Sequence, residues 1–178
     1  MVFKMGKICQ HESVKLIIGL IGKENLFDKV KASLLIKFGR IDFESVVLEF
    51  TYTDYYNKEM GLDLKRQFLS FERLISPEDL PDIKQYTNLL ESTLCSDYEK
   101  RSVNIDPGYL SLSKLVLATT KDHQHRIYLT KGIFAEVTLR FRGKTFRPWD
   151  WTYPDYCSKE YISIFNQMRS ELYKAKES

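Results

Sequence analysis

The sequence lacks several features that would place it in a specialised class of protein. Its three cysteines, Cys9, Cys95 and Cys157, are odd in number, widely spaced and form no C-x-x-C pair. This pattern predicts reduced thiols in a cytoplasmic protein rather than a disulfide scaffold. No apolar run approaches the roughly 18 residues of a membrane-spanning helix, and the first residues have no apolar stretch typical of a signal peptide. We therefore expect no membrane association.

The sequence also lacks a strong excess of one charge. Lys and Arg total 27 against 24 for Asp and Glu, which gives a formal net charge of +3. Such a small excess does not favour nucleic acid as a partner through bulk attraction. The length of 178 residues suits one domain, and the proportions of 43% hydrophobic and 29% charged residues are those of an ordinary globular chain.

Two nucleotide-binding motifs are approached but not met. Gly19-Leu-Ile-Gly22 is followed by Lys23 and Glu24, whereas a phosphate-binding loop needs four residues between its glycines and a hydroxyl residue after the lysine. Thr119-Thr-Lys-Asp122 resembles the guanine-reading [NT]-K-x-D motif but has no spacer before the aspartate. Neither stretch predicts a P-loop GTPase.

Hydrophobic periodicity predicts the order β-α-β-β-α-β in the first part of the chain. Val14–Ile21 is a nearly continuous apolar run typical of a central strand, and Glu24–Phe38 has the spacing of a helix that ends at Gly39. The next predicted elements are strands over Glu44–Thr53, Leu64–Ile75 and Arg101–Ile105 and a helix over Leu80–Leu94. This order is the split βαβ, or ferredoxin-like, arrangement.

The second part of the chain is expected to add further elements. The composition of Asp106-Pro-Gly-Tyr109 favours a turn, Ser111–Thr120 is predicted as a short helix, and Ser158 to about Lys174 as an amphipathic helix. We therefore expect an α+β fold in a single domain over residues 1–178. Residues 1–12 would be flexible, residues 14–105 would form the ferredoxin-like core, and residues 106–178 would supply an added helix, an added β-hairpin and a C-terminal helix.

A hairpin is predicted over His125–Phe141, and its register follows from its loop. Gly132 suits the left-handed backbone that the tight loop requires. With this loop, Arg126 lies directly opposite Glu136 on the neighbouring strand. The pair can be a surface ion pair or part of a site, and the site reading gains weight if the same face gathers further charged side chains.

Charged side chains between Arg101 and Phe141 are interspersed with β-branched and aromatic residues, so we expect them to be held on a folded frame. Lys114, Lys121 and Asp106 fall at predicted element ends, where phosphate and carboxylate ligands are usually bound. His123 and His125 have a spacing seen in metal sites. The alternative for these histidines is a place at the end of a sheet, with backbone partners.

Seven blocks of the sequence carry a resemblance to other proteins, namely Thr53-Asp-Tyr-Tyr56, Glu59-Met-Gly61, Arg66-x-Phe-x-Ser-Phe71, Val103-Asn-Ile-Asp-Pro-Gly-Tyr-Leu110, Lys114-x-Val-Leu-Ala-Thr-Thr-Lys-Asp122, His125-Arg-Ile-Tyr-Leu129 and Trp151-Thr-Tyr-Pro-Asp-Tyr156. They resemble an uncharacterised prokaryotic family that is catalogued as a domain of unknown function, some members of which carry the label GTP-binding protein. The resemblance covers nearly the whole chain. It implies that the residues to test are Asp54, Arg66, Asn104, Asp106, Lys114, Lys121, Asp122, His125, Arg126 and Glu136.

The leading hypothesis is a cleft that binds a small phosphorylated or nucleotide ligand, with Mg²⁺ as a cofactor and phosphoryl or hydrolytic chemistry as its use. Predicted roles are catalysis for Asp106, His125 and Glu136; ligand binding for Asp54, Arg66, Asn104, Lys114, Lys121 and Arg126; and metal binding for Asp122. A non-catalytic protein- or RNA-interaction module is the alternative, and a carbohydrate or small-acid enzyme ranks third. The oligomeric state stays open.

Overall fold

The computed structural model describes residues 6, 8, 10–95 and 101–177 of the chain. In this described part, nine strands form one antiparallel sheet that carries four α-helices. The strands are β1 (Val14–Gly22), β2 (Ile41–Glu44), β3 (Leu48–Glu49), β4 (Lys65–Ile75), β5 (Val103–Leu110), β6 (Lys114–Thr119), β7 (Ile127–Thr130), β8 (Ile133–Arg142) and β9 (Thr145–Pro148). The helices are α1 (Phe27–Phe38), α2 (Asn57–Met60), α3 (Leu80–Thr93) and α4 (Lys159–Glu177).

Two expectations concern the limits of this description. The flexible segment predicted for residues 1–12 lies largely outside the described residues. No helix among the described residues is long and apolar enough to cross a membrane.

The sheet runs in the order β2-β4-β1-β5-β6-β8-β7, with β3 also paired to β4 and β9 to β8. Strand β1 is buried along its whole length, because helices cover both faces of the sheet at its centre. Leu16, Ile18 and Leu20 pack in one core with residues of α1 and α3. Ile17 points the other way, into a core shared with α4. This double burial explains why β1 is a nearly continuous apolar run.

Three of the four described α-helices, α1, α3 and α4, confirm the predictions made from periodicity. Helix α1 buries Phe27, Val30, Leu34 and Phe38 and stops at Gly39, whose backbone has a positive φ of 89°. Helix α3 starts at the predicted residue, and helix α4 buries the predicted apolar stripe, which consists of Tyr161, Phe165, Met168 and Leu172.

The turn predicted at Asp106–Tyr109 is wrong, because these residues belong to strand β5. The strand pairs with β1 along its whole length, from Val103 to Leu110. Gly108 is required there for close approach rather than for a turn. A Cβ at this position would lie 2.4 Å from the backbone oxygen of Val116 on β6. Glycine in this stretch therefore reflects a close contact with another strand and not a turn. The local sequence does not show that contact.

The helix predicted over Ser111–Thr120 is also wrong, because Lys114–Thr119 forms strand β6 between β5 and β8. Leu115 is buried in the core on the α4 side, while Val116 and Ala118 are buried with Leu80 of α3 on the other side. A strand buried on both faces gives a short apolar run without alternation, which a short helix also gives.

The strand predicted over Glu44–Thr53 is interrupted in the structure. It is replaced by β2, which ends at Glu44, and by the two-residue strand β3. Ser45 lies between them, and its hydroxyl accepts a hydrogen bond from the backbone N–H of Phe68 at 3.0 Å. This side-chain bond takes the place of regular strand pairing at the break.

The sheet opens between β5 and β6, and this opening determines where a site can form. The two strands pair over just three positions, from Gly108 to Leu110 on β5. At Ile105, side chains of helix α3 replace the missing strand. Glu91 accepts the Ile105 N–H at 2.6 Å, and Lys84 donates to the Ile105 carbonyl at 3.1 Å. The backbone of β5 is thus satisfied although β6 has moved away.

Candidate functional site

A cavity of about 520 Å³ lies at the opening between β5 and β6. Its floor is the α4-side face of the sheet, because Asp106 is paired with Gly19 and Gly19 with Phe68, and paired residues share a face. Helix α4 packs in the same core as Phe68 and so covers the neighbouring part of that face. The volume falls within the range of small-molecule sites.

The structure brings six of the ten predicted site residues to the cavity wall, namely Arg66, Asn104, Asp106, Lys121, Arg126 and Glu136. The other four lie elsewhere. Lys114 is exposed at the opposite end of β6, paired with Arg140, and Asp54 and Asp122 are exposed in loops. His125 lies behind the wall and contacts the cavity through Glu136.

Arg66 lies at the centre of one end of the cavity. Its side chain is almost fully enclosed, and its guanidinium carbon is 4.4 Å from the ring centre of Phe68. Nη1 is 3.4 Å from Asp106 Oδ2, and Nη2 donates to the hydroxyl of Tyr156 at 2.5 Å. Nε has no partner among the described residues.

Gly19 explains how Arg66 reaches Asp106 across strand β1. A Cβ at Gly19 would lie 3.0 Å from Nη2 of Arg66 and 3.2 Å from the ring of Phe68. The missing side chain therefore leaves the room in which the guanidinium passes from β4 to β5. Gly19 and Gly22 both belong to strand β1, so the stretch that resembles a phosphate loop is not a loop.

A chain of polar contacts continues from Arg66 toward helix α3. Asn104 donates to Asp106 Oδ2 at 2.7 Å, and its own carbonyl accepts from Arg101 at 2.9 Å. Arg101 also contacts Glu91 at 3.4 Å and Glu59 at 2.9 Å. The cations and carboxylates at this end therefore compensate one another.

The other end of the cavity is built on the hairpin of β7 and β8. Arg126 donates through Nε to Glu136 Oε2 at 2.9 Å, so the predicted contact across the hairpin is present. Both side chains are buried. Arg126 also donates to the carbonyl of Lys121 at 3.0 Å and to the hydroxyl of Tyr153 at 3.2 Å. These bonds fix the loop that carries Lys121.

Lys121 is the exposed cation of this end. Its ammonium donates to the hydroxyl of Tyr55 at 3.0 Å and lies 4.5 Å from the centre of that ring. No carboxylate of the described residues lies within ion-pair distance of it. Tyr52, Tyr55, Tyr56 and Tyr153 add aromatic surface to the cavity wall. The site thus combines an uncompensated cation with flat apolar surface.

Burial shifts the pKa of several cavity groups. Desolvation raises the pKa of the Glu91 carboxyl and of the Asp155 carboxyl above their usual values, against the lowering effect of Lys84 and Arg66 respectively. Desolvation also raises the pKa of Tyr56 and of Tyr156, so that their hydroxyls stay neutral and can donate hydrogen bonds.

The two histidines with metal-like spacing are stacked. The rings of His123 and His125 are 6.0 Å apart and nearly parallel, and His125 stacks in turn on Trp151 at 5.6 Å. His125 Nε2 is 3.2 Å from Glu136 Oε2. Over residues 6, 8, 10–95 and 101–177, no group of three or more His, Cys, Asp and Glu side chains is placed to hold a metal ion.

Sequence reasoning missed several residues of the wall, namely Lys84, Glu91, Arg101, Asp155 and Tyr156. A signal existed for the first two. Lys84 and Glu91 lie seven residues apart on helix α3, on the same face as the buried Leu80 and Thr87. Charged residues on the buried face of a helix need partners inside the protein. Tyr156 packs in the core on the α4 side and also lines the cavity.

Together, fold and site define a mixed α/β domain with a polar, tyrosine-walled cavity where its antiparallel sheet opens. The chain belongs to the DUF4416 family, a domain of unknown function, whose family model matches residues 12–172. This match confirms the resemblance seen in the sequence blocks. No curated protein and no solved structure matches the chain.

Proposed function

We propose that the protein binds a small phosphorylated or nucleotide-type ligand in the cavity. The observation that carries this proposal is Lys121, an exposed cation on the cavity wall without a carboxylate partner among the described residues. The neighbouring Arg126 is held rigidly by Glu136. The Lys121 ammonium, which contacts Tyr55 but no carboxylate among the described residues, favours an anionic group.

The cavity wall supports the nucleotide form of this proposal. Tyr55 and Tyr56 are in edge-to-face contact, with ring centres 5.0 Å apart, and with Tyr153 they offer flat surfaces next to Lys121. A ligand with a ring and a phosphate would use both features.

Mg²⁺ is proposed to enter together with the ligand's phosphates. Mg²⁺ keeps several of its waters and is usually bound through one or two carboxylates plus substrate phosphates. Asp122 follows Lys121 directly in the chain, so it is the carboxylate that we propose for the metal. For a chemical step, Glu136 backed by His125 would move a proton.

We also infer that residues 14–110 form a ferredoxin-like core. The order β2-β4-β1-β5, with antiparallel neighbours and with α1 and α3 packed on one face, supports this assignment.

The second candidate, a protein-interaction module, is favoured by one observation. Strand β7 is the edge of the sheet, and Ile127, Tyr128 and Leu129 are exposed along it. An exposed apolar edge strand can pair with a strand of another protein.

The test is a thermal-shift panel of nucleotides and sugar phosphates, each with and without Mg²⁺. A ligand at 100 times its Kd adds about 2.7 kcal/mol to the free energy of unfolding, which raises Tm by roughly 5–11 °C for a chain of this size. We expect the shift to disappear in Lys121→Ala and to persist in Lys114→Ala, a matched lysine outside the cavity. A flat panel for the wild-type protein would favour the interaction module.

A further inference from the structure

The Arg66 end of the cavity has a hydrogen-bond donor left over. The oxygen of Tyr156 accepts from Arg66, so the hydroxyl proton of Tyr156 must find an acceptor elsewhere. Among the described residues no acceptor is placed to take it. Tyr156 is 4% exposed and lines the cavity. Its O–H is therefore available to a group inside the cavity.

The same end has an acceptor left over. Oδ2 of Asp106 receives Asn104 at 2.7 Å and Arg66 at 3.4 Å. Oδ1 is 3.9 Å from the ammonium of Lys84, which is beyond hydrogen-bond distance. The Asp106 side chain is 27% exposed and lines the cavity. One guanidinium thus holds, through its two terminal nitrogens, one group that can donate and one that can accept.

We infer that this end is a second recognition subsite, in which Tyr156 donates to and Asp106 accepts from an uncharged polar group of the ligand. The inference rests on the proposed function, because the anionic group of the same ligand would lie at Lys121. A second anion at this end would meet the carboxylates of Asp106 and Asp155. An uncharged group with both a donor and an acceptor matches the two protein groups.

The two ends are far enough apart for one ligand to span them. Asp106 lies on β5 and Glu136 on β8, with β6 between them. Two strand spacings amount to about 10 Å, and the strands diverge here. The predicted ligand class therefore carries a phosphate at one end and, some distance away, a nucleobase edge or sugar hydroxyls, which share the required hydrogen-bonding chemistry.

The test is titration calorimetry of the full chain with inorganic phosphate, ribose 5-phosphate and the four common nucleoside 5′-monophosphates. The variant is Tyr156→Phe, which removes the hydroxyl but keeps the ring stacked on Phe165. Tyr161→Phe is the matched control. Its hydroxyl is buried and has no partner among the described residues, and its ring is 5.7 Å from that of Tyr156, but Tyr161 does not line the cavity.

We expect the wild-type protein to bind an organic phosphate more tightly than inorganic phosphate. Tyr156→Phe should weaken the binding of the organic phosphate about fivefold to tenfold and leave the binding of inorganic phosphate unchanged. Tyr161→Phe should not weaken the binding of the organic phosphate in this way. If ribose 5-phosphate already binds more tightly than inorganic phosphate, the subsite recognises sugar hydroxyls. If only the nucleoside monophosphates bind more tightly, the subsite recognises the base.

Two results would overturn the inference alone. One is Tyr156→Phe binding every ligand as the wild-type protein does, and the other is an equal loss for inorganic phosphate. In both cases a loss in Lys121→Ala would leave the proposed function standing. A wild-type protein that binds none of these phosphates would overturn both.

Discussion

Two buried cations of the same sheet differ in what surrounds them. Lys15, on β1, forms an ion pair with Asp42 and donates to the carbonyl of Phe71 at 3.2 Å, while Ser70 donates to the other oxygen of Asp42 at 2.6 Å. Arg66, on β4, lies against a cavity, and its Nε has no partner among the described residues.

The difference shows what distinguishes a structural ion pair from a candidate site. Burial of a charge requires partners in either case. Around Lys15 the partners satisfy the charge, and Lys15 does not line the cavity between β5 and β6. Around Arg66 the partners leave the Tyr156 proton and the Asp106 Oδ1 unused, and both groups line the cavity. Surplus hydrogen-bonding capacity next to a cavity, rather than burial, marks the site.

The largest effect is expected from removing the enclosed cation. Arg66→Met should lower the free energy of unfolding by about 3–5 kcal/mol, because Asp106 keeps Lys84 at 3.9 Å but loses its nearer cation, and because the guanidinium contacts with the rings of Phe68, Tyr156 and Tyr161 are lost. Lys15→Met should lower it by about 1–3 kcal/mol, since Asp42 keeps Ser70. Urea unfolding of both variants measures the difference. Equal losses in the free energy of unfolding would mean that Arg66 and Lys15 contribute equally to stability.

The sequence predicted the elements whose signals are local. The apolar run of β1, the periodic helices and the contact of Arg126 with Glu136 depend on neighbouring residues or on one tight loop. The prediction from sequence failed where contacts between distant strands determine the structure. Gly108 is glycine because of Val116, and Gly19 is glycine because of Arg66. Such contacts join residues that are far apart in the chain, so no local pattern shows them.

The candidate site was predictable to the same extent. Six of the ten predicted residues line one cavity, and five of these six lie in the charged segment from Arg101 to Phe141, although Arg101 itself was missed. Lys84 and Glu91 were missed because their role depends on the opening between β5 and β6. The opening could not be predicted, because Ser111–Thr120 was predicted as a helix, whereas the strand that diverges from β5 is β6 in this segment.

The second effect concerns the room that Arg66 needs. Gly19→Ala should lower the free energy of unfolding by about 1–3 kcal/mol, because its Cβ would press on the guanidinium and on Phe68. Combined with Arg66→Met, the same substitution should be less harmful, since the two sites are in contact. A double-mutant cycle in urea measures this coupling. Gly6→Ala is the control, because nothing lies within 4 Å of its Cβ. Strict additivity would contradict the close contact.

The third effect is on the pH dependence of stability. Burial raises the pKa of Glu91 in the folded state above its usual value of 4.5. Below pH 4.5 the Glu91 carboxyl is protonated in both the folded and the unfolded state, and the full contribution of this carboxyl to the free energy of unfolding is present. As pH rises through the raised folded-state pKa, that stability is lost. Glu91→Gln, which can still accept the Ile105 N–H, should therefore flatten the decline above pH 4.5.

The measurement is urea unfolding at a series of pH values from 4 upward. The exposed Glu72 provides the control, because its carboxylate faces solvent beside Arg40. Glu72→Gln should leave the slope unchanged. A slope that is the same in Glu91→Gln and in the wild-type protein would show that the buried carboxyl does not titrate in this range.

The smallest effect on stability is expected at the cation that carries the proposed function. Lys121→Met should change the free energy of unfolding by less than about 0.5 kcal/mol, because the side chain is exposed and bonds to Tyr55 alone among the described residues. The same replacement by Met thus separates two cations of the sheet, Arg66 and Lys15, from a cation on a loop, Lys121, by urea unfolding. Arg66 and Lys15 would be needed for the fold, whereas Lys121 would be needed for the ligand. A loss above about 1 kcal/mol at Lys121 would instead make it a structural support of its loop.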